Sequence, residues 1–237
     1  MKKNIYIFSS GELRKEENTL SFVSGGVKKF IPISSVSSIY VFGELSLNKK
    51  LLEFLSANHV IVNFFNYYGY YIGSYYPRAH YNAGIITLKQ AEHYLDYGKR
   101  LLLARKFLMG GVFNMIKTIE YYSSLSESVK GHVERLNEKL RMIINAESIE
   151  GLMAAEGNIR EEYYSSFNDI IGKSGFWFHQ RERRPPRGPL NALISFGNSM
   201  LYVTILGEIY KTHVDPRIGY LHSTNLRKFS LNLDLSE

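Results

Sequence analysis

The sequence predicts an α+β fold: a small N-terminal β-rich domain followed by a larger all-α domain. Three observations carry this. Over residues 1–80, short runs of β-branched and aromatic residues alternate with turn signals. After residue 86 the apolar spacing changes to the 3.6-residue period of a helix and keeps it. A chain of 237 residues, 45% of them hydrophobic, is long enough for one large domain or two modest ones, and too apolar for a disordered one. The predicted boundaries are residues 1–80 for the β-rich domain, 81–86 for a linker and 87–237 for the helical domain.

Each element follows from local pattern. Ile5 to Phe8 is a short apolar run ended by "SSG". Thr19–Val23 and Val27–Ile31 flank "SGG", a hairpin signal. Ile39–Phe42 is rich in β-formers, whereas Leu47, Leu51, Leu52 and Leu55 fall at helical spacing. Val60–Phe65 and Tyr70–Tyr75 flank a turn at "NYYG", and Pro77 ends the series. One long amphipathic helix is predicted over "LKQAEHYLDYGKRLLLARKFLMGGVFNMI", with a possible interruption at Gly110-Gly111. Another covers "SESVKGHVERLNEKLRMIINA". A third runs from Ser148, its N-cap, to Ile171, and a fourth from Pro189 to Tyr210. "VDPRIGYLHSTNLRKF" reads as loop, and "LNLDLSE" opens a further short helix.

Composition excludes several chemistries. There is no cysteine, so disulfides, thiolate nucleophiles and Cys-ligated zinc are ruled out. The N-terminus has too few apolar residues for a signal peptide. "LISFGNSMLYVTILGEIY" contains Asn198, Ser199 and Glu208, and so reads as a buried helix rather than a membrane span. The expected location is cytoplasmic, with no membrane partner. The formal charge of +7 favours a polyanionic partner. Residues 148–237 carry ten Lys/Arg against ten Asp/Glu, yet Arg181, Arg183, Arg184 and Arg187 crowd one loop, so the local field there is strong.

Candidate residues for chemistry each have a plainer reading. Glu156 reads first as a solvated helix residue, since most helix glutamates face water. Its small neighbours Ala154, Ala155 and Gly157 argue the other way, because they let a backbone or ligand approach. His222 is one of seven histidines, but it sits in a loop, where sites concentrate. Asp234 and Glu237, at i and i+3, share one helix face or simply complement a helix N-terminus. A Glu, a His and one or two more carboxylates would make a hard site suited to Mn²⁺ or Mg²⁺, although 66 residues separate Glu156 from His222. Arg183, Arg184 and Arg187 fit phosphate contacts, or a solvated loop. The aromatics of "NFFNYYGYYIGSYY" read as sheet core and hairpin rather than base-stacking platforms. No phosphate-binding P-loop, dinucleotide fingerprint or nucleophile elbow is present.

Together these stretches resemble one family, the CRISPR adaptation integrases (Cas-one). "IYIFSSGEL", "VFGELSLNKKLLEFLS" and "NYYGYYIGSYYPR" are similar to its N-terminal domain and linker. "LKQAEHYLDYGKRLLLARKF" resembles its first long helix, and "LMAAEGNIREEYY" its first acidic motif. "RRPPRGPLNALISFGNSMLY" and "VDPRIGYLHSTNLRKFSLNLDLSE" resemble its Pro-Asn helix start and its His-to-acid segment. The order and spacing of the motifs cover nearly the whole chain and are specific as a set. Gly188 stands where many relatives carry a polar residue.

The resemblance implies a metal-dependent DNA endonuclease and integrase that joins the 3′-hydroxyl ends of captured DNA fragments to the CRISPR repeat by transesterification. It implies Mn²⁺ or Mg²⁺ held by Glu156, His222 and Glu237, with Asp234 a further catalytic residue that could share or replace the role of Glu237. Asn191 matches a recurrent residue of the same helical domain. The implied partners are a second copy through the β-rich domain, a Cas-two partner protein in a larger complex, and double-stranded DNA. Relatives usually continue for a further helical stretch after the acid motif. The expectation is therefore that the catalytic domain is truncated at its C-terminal end or its tail disordered, leaving Glu237 mobile and the metal site incomplete. Two rival functions stay open: a metal-dependent DNA-repair nuclease, and a non-catalytic DNA-binding assembly subunit.

Overall fold

The computed structural model describes residues 2–77, 83–172, 175–183, 185–224 and 229–236. The chain divides into two compact units, Met1–Asn82 and Ala83–Glu237.

The N-terminal unit holds two four-stranded sheets. In one, β1 (Lys3–Ile7), β5 (Val36–Val41) and β7 (Ile61–Phe65) run parallel, and β8 (Tyr71–Tyr75) closes the edge antiparallel to β7. In the other, β2 (Gly11–Glu16), β3 (Thr19–Ser24) and β4 (Val27–Pro32) form an antiparallel meander, with β6 (Leu45–Ser46) parallel to β2. The predicted hairpin at "SGG" is the β3–β4 turn, where Gly25 and Gly26 supply two consecutive positive φ angles, 55° and 78°. The sequence pattern does not predict strand β2, because "GELRKE" is mostly charged and buries only Leu13. It pairs on both sides through its backbone, with β3 and β6. The helical spacing after residue 47 yields α1 (Lys49–Ala57), N-capped by Asn48, whose side chain accepts from the Leu51 N–H at 2.9 Å. Leu51 and Leu55 bury into the strand core beside Leu13, Val41 and Val62.

The second unit is helical: α2 (Gly84–Leu95), α3 (Tyr97–Tyr122), α4 (Glu127–Asn145), α5 (Ile149–Ile171), α6 (Pro189–Tyr210) and α7 (Ser230–Leu235). Its core is a stripe on α3, Ala104, Leu108, Val112, Ile116 and Ile119, met by Leu136 of α4 and Leu152 of α5. Three corrections follow. Of the expected linker 81–86, residues 81 and 82 lie outside the described residues, and residues 84–86 already form the first turn of α2. The predicted long helix breaks at Asp96, not at Gly110-Gly111. Asp96 is extended (φ −76°, ψ 105°) and its carboxylate accepts the Lys99 N–H at 3.0 Å, starting α3 afresh, while both glycines lie inside continuous helix. Helix α6 is not the buried helix expected. It is long and apolar enough to cross a membrane by length and composition, yet its most apolar window is only 22% buried. Leu193, Phe196 and Leu201 stand exposed on it because core contacts engage only part of its circumference.

Candidate active site

Helix α5 begins at the Ser148 cap, whose hydroxyl accepts from the Gly151 N–H at 3.0 Å. From there Leu152, Ala155 and Ile159 point into the core. Glu156 lies between Leu152 and Ile159 at i+4 and i−3, so it falls on the same inward stripe. It is 8% exposed, which removes the reading of a solvated helix residue. A carboxylate costs free energy there unless a charge answers it. The Arg160 Nε does so from 2.9 Å, by electrostatic proximity rather than an aligned hydrogen bond. Among the described residues none makes the close approach expected at Gly157: no atom lies within 4 Å of a Cβ placed there.

His222 and Asp234 form one unit. Asp234, on α7, is 2% exposed and accepts four donors. Its Oδ2 takes the backbone N–H of Tyr220 and, at 3.0 Å, that of Leu221. Its Oδ1 takes the His222 N–H at 2.9 Å and the His222 ring at Nδ1, 3.0 Å away. An ionised carboxylate only accepts, so Nδ1 carries the hydrogen, and in the neutral ring the lone pair then sits on Nε2. This corrects the expectation for Asp234: its oxygens are consumed and buried, so it cannot also ligate an ion or touch substrate. It orients the imidazole instead, the arrangement by which carboxylates behind metal-binding histidines fix tautomer and ring angle.

The loop bearing His222 is held tightly to α7. Gly219 donates to the Ser230 hydroxyl at 2.9 Å, and that hydroxyl donates to the Arg217 carbonyl at 2.6 Å. The backbones approach so closely that a Cβ on Gly219 would lie 2.5 Å from the Ser230 carbonyl carbon. From α3, the Arg100 Nε donates to the Tyr220 carbonyl at 2.9 Å. None of these holding residues carries a sequence signal beyond the family motif.

Glu237 and Arg184 lie outside the described residues. Among the described residues, no three His, Asp or Glu side chains are grouped to hold one ion. Glu156, a buried carboxylate, and His222, an imidazole whose Nδ1 is committed to Asp234, are each a donor type that suits Mn²⁺ or Mg²⁺.

The arginine loop splits in two. Arg181 turns inward. Its Nη1 donates to Asn191 Oδ1 and its Nη2 to the Ser195 hydroxyl, both at 3.0 Å, and burial lowers its pKa from the usual guanidinium value. Asn191, in the first turn of α6, also accepts from the Glu182 N–H at 3.1 Å and donates to the Gln180 carbonyl at 2.9 Å. It is therefore a loop clamp. Gly188 caps α6 at φ 80° and ψ 156°, a conformation open to glycine, which explains its presence here. Arg183 and Arg187 are exposed; the Arg187 Nε lies 3.9 Å from a carboxylate oxygen of Glu182.

A two-sheet unit, a helical unit and a histidine backed by a buried aspartate define a class of two-part proteins with a polar site in the helical part. Within that class, a family model described as "CRISPR associated protein Cas1" matches residues 5–237. The chain is 52% identical to a CRISPR-associated endonuclease Cas1 of Thermodesulfovibrio yellowstonii, over 100% of this chain and 72% of that protein. Its fold superposes on a Cas1 protein from Thermotoga maritima with a TM-score of 0.85, at 44% identity, covering 99% of this chain and 73% of the other. Two more distant structures share the fold: a casposase bound to integration product (TM-score 0.82, 18% identity, 100% and 68% covered) and a chain of a Cas6-RT-Cas1–Cas2 complex (0.77, 17%, 98% and 26%). The chain belongs to the Cas1 family.

Proposed function

We propose that the protein is a metal-dependent DNA endonuclease and integrase of CRISPR adaptation. In this reading the 3′-hydroxyl of a captured fragment attacks a phosphodiester of the repeat. One P–O bond forms, the original P–O3′ bond breaks, and the displaced strand leaves with its own 3′-hydroxyl. With water as nucleophile the same centre cleaves DNA. The observation that carries the reading is the buried Asp234 carboxylate fixing the His222 ring at Nδ1, in a chain matched to Cas1 along its length.

Glu156, His222 and Glu237 would hold Mn²⁺ or Mg²⁺. When bound, that ion lowers the pKa of the attacking hydroxyl and neutralises charge on the scissile phosphate. Asp234 keeps the imidazole in one tautomer and orientation, and Arg160 balances Glu156 in the absence of other charge. Arg183 and Arg187, with Arg184 in the same loop, contact duplex phosphates. The partners are double-stranded DNA, a Cas2 protein, and a second copy of the chain docked through the β unit. That unit leaves Tyr6 and Phe8 exposed, stacked on Tyr40 and Phe42, and its size favours oligomerisation. The site of action is the cytoplasm.

A labelled duplex incubated with a repeat-containing plasmid and Mn²⁺ tests the reading. Joined product is expected. Degradation alone would point to a repair-type nuclease, and a bound but unchanged duplex to a non-catalytic assembly subunit. Light scattering at micromolar concentration should report a dimer.

A further inference from the structure

Helix α2 has one buried residue, and it is polar: Gln90, 7% exposed. An amphipathic helix ordinarily buries aliphatic side chains, so α2 is organised around a different contact. The Gln90 amide grips the backbone of a single residue 125 positions away. Its Oε1 accepts from the Asp215 N–H at 2.8 Å, and its Nε2 donates to the Asp215 carbonyl at 3.1 Å. A side-chain amide carries an acceptor and a donor side by side, and so satisfies both groups at once.

Asp215 opens the segment that ends at His222. Its carboxylate faces Arg217, accepting that residue's N–H at 2.9 Å and its guanidinium at 2.9 and 2.6 Å, which shapes the turn. The next carbonyl, of Pro216, accepts the Leu231 N–H at 3.1 Å, and the Arg217 carbonyl accepts Ser230, so α7 docks on this turn. Helix α7 in turn presents Asp234 to residues 220–222. Registration thus passes from Gln90 to Asp215, then to α7, then to the His222 ring. We propose that Gln90 is a positioning residue for His222, the side chain that indexes the whole His222–Asp234 unit against the helical scaffold. The proposal rests on the reading of His222 as an active-site group. It adds a site determinant some 130 residues upstream of the histidine, in a helix that contributes no ligand.

The test uses the full chain with Gln90→Met, which keeps the volume and removes both bonds, and Gln90→Glu, which can accept from the Asp215 N–H but cannot donate. For Gln90→Met, cleavage and joining should slow about 10- to 100-fold, the range seen when groups behind metal ligands are removed. The Mn²⁺ concentration for half-maximal rate should rise, and duplex Kd should stay unchanged. Amide hydrogen exchange should accelerate in a peptide spanning 214–222 and remain as in the parent over 149–171. Gln90→Glu should fall between parent and Gln90→Met in both rate and exchange. Equal acceleration of exchange across the helical unit, with activity following global stability, would overturn the proposal, as would parent-like activity despite faster exchange at 214–222. His222→Ala is the separate control. If that variant is fully active, the active-site reading fails, whereas the exchange data on Gln90→Met still report whether the indexing contact exists.

Discussion

Asp234 holds His222 twice through a single oxygen: Oδ1 accepts the residue's backbone N–H at 2.9 Å and its ring Nδ1 at 3.0 Å. The backbone bond fixes where the residue is, and the ring bond fixes which way it faces. Asp234→Asn turns an NH₂ group toward N–H donors whichever way the amide is flipped. Hydrogen bonds to charged groups contribute about 1.5–3 kcal/mol each, so unfolding free energy should drop by about 3 kcal/mol. Activity should fall about 10- to 100-fold or more with little change in duplex affinity. Denaturant melts and filter binding check both.

Glu156→Ala should abolish cleavage and joining while duplex binding survives, because the phosphates are held elsewhere. The variant also removes the largely buried ion pair between Glu156 and Arg160, so a stability loss of about 1–3 kcal/mol accompanies it. Combined with His222→Ala, the losses in rate should not multiply, since members of one centre act as a unit. Single-turnover rates of both single variants and the double variant decide this.

Reversing Arg183 and Arg187 to Glu should weaken duplex binding and flatten its salt dependence, by about 0.9 in log–log slope for each phosphate the protein no longer neutralises. Arg181→Ala should behave differently. It removes the donors to Asn191 and Ser195, so the loop loosens and thermal stability falls. Fluorescence anisotropy across a salt series, run beside thermal melts, separates the two kinds of arginine.

Gly219→Ala places a methyl 2.5 Å from the Ser230 carbonyl carbon, a backbone atom that cannot swing aside. Overpacking of this kind costs about 1–3 kcal/mol. The start of α7 must shift, and Asp234 shifts with it. Activity should therefore fall further than that stability loss alone explains, as measured by joining rate at a temperature where both proteins remain folded.

The fold should weaken in acid. The Arg217 bond holds the Asp215 carboxyl below its usual range. Burial pushes Glu162 up, but its bonds to Arg135 and His132 outweigh that and leave it lowered, and the Ser128 hydroxyl does the same for Asp169 against a smaller burial effect. Folded values below unfolded ones mean stabilisation that is complete above the unfolded values, about 4.3 for Glu and 3.9 for Asp, and lost as pH drops through the folded ones. Glu92, beside Lys89 and Lys99, is lowered to about 2, but its carboxylate is solvent-exposed, so screening by water makes its contribution to this loss small. Thermal melts should be flat from pH 7 to about 5 and fall steadily below about 4.

Much of the fold and part of the site are legible in the sequence, and what is not has physical causes. Helices α5 and α6 announce themselves because a serine cap and a proline at the first turn are local signals. The break at Asp96 is hidden because one capping carboxylate inside a continuous apolar period resembles any surface acid, whereas a glycine pair draws the eye. The burial of Glu156 is written in its spacing from Leu152 and Ile159, yet helix glutamates are so often solvated that the spacing alone does not decide it. The role of Asp234 cannot be read at all: three of its four donors are main-chain amides, which every residue but proline possesses. The inward turn of Arg181 against the exposure of Arg183 is a matter of loop path, and four nearby arginines look alike until that path is known.

The parallel pairing of β1 with β5 also governs the order in which the chain is assembled. Lys3 to Ile7 match Val36 to Val41, with the β2–β3–β4 meander in between. At about 5–20 residues per second of synthesis, β1 waits some 2–7 s for its partner, and longer for β7, which completes the parallel core. During that wait Ile5 and Ile7 have no strand to pair with, while the meander closes at once through neighbours. Contacts between distant segments are slow to form, and those between successive helices fast. The N-terminal unit, though first to emerge, is thus the slower to close, and its nascent first strand is where a chaperone or a neighbouring nascent chain would find an open edge.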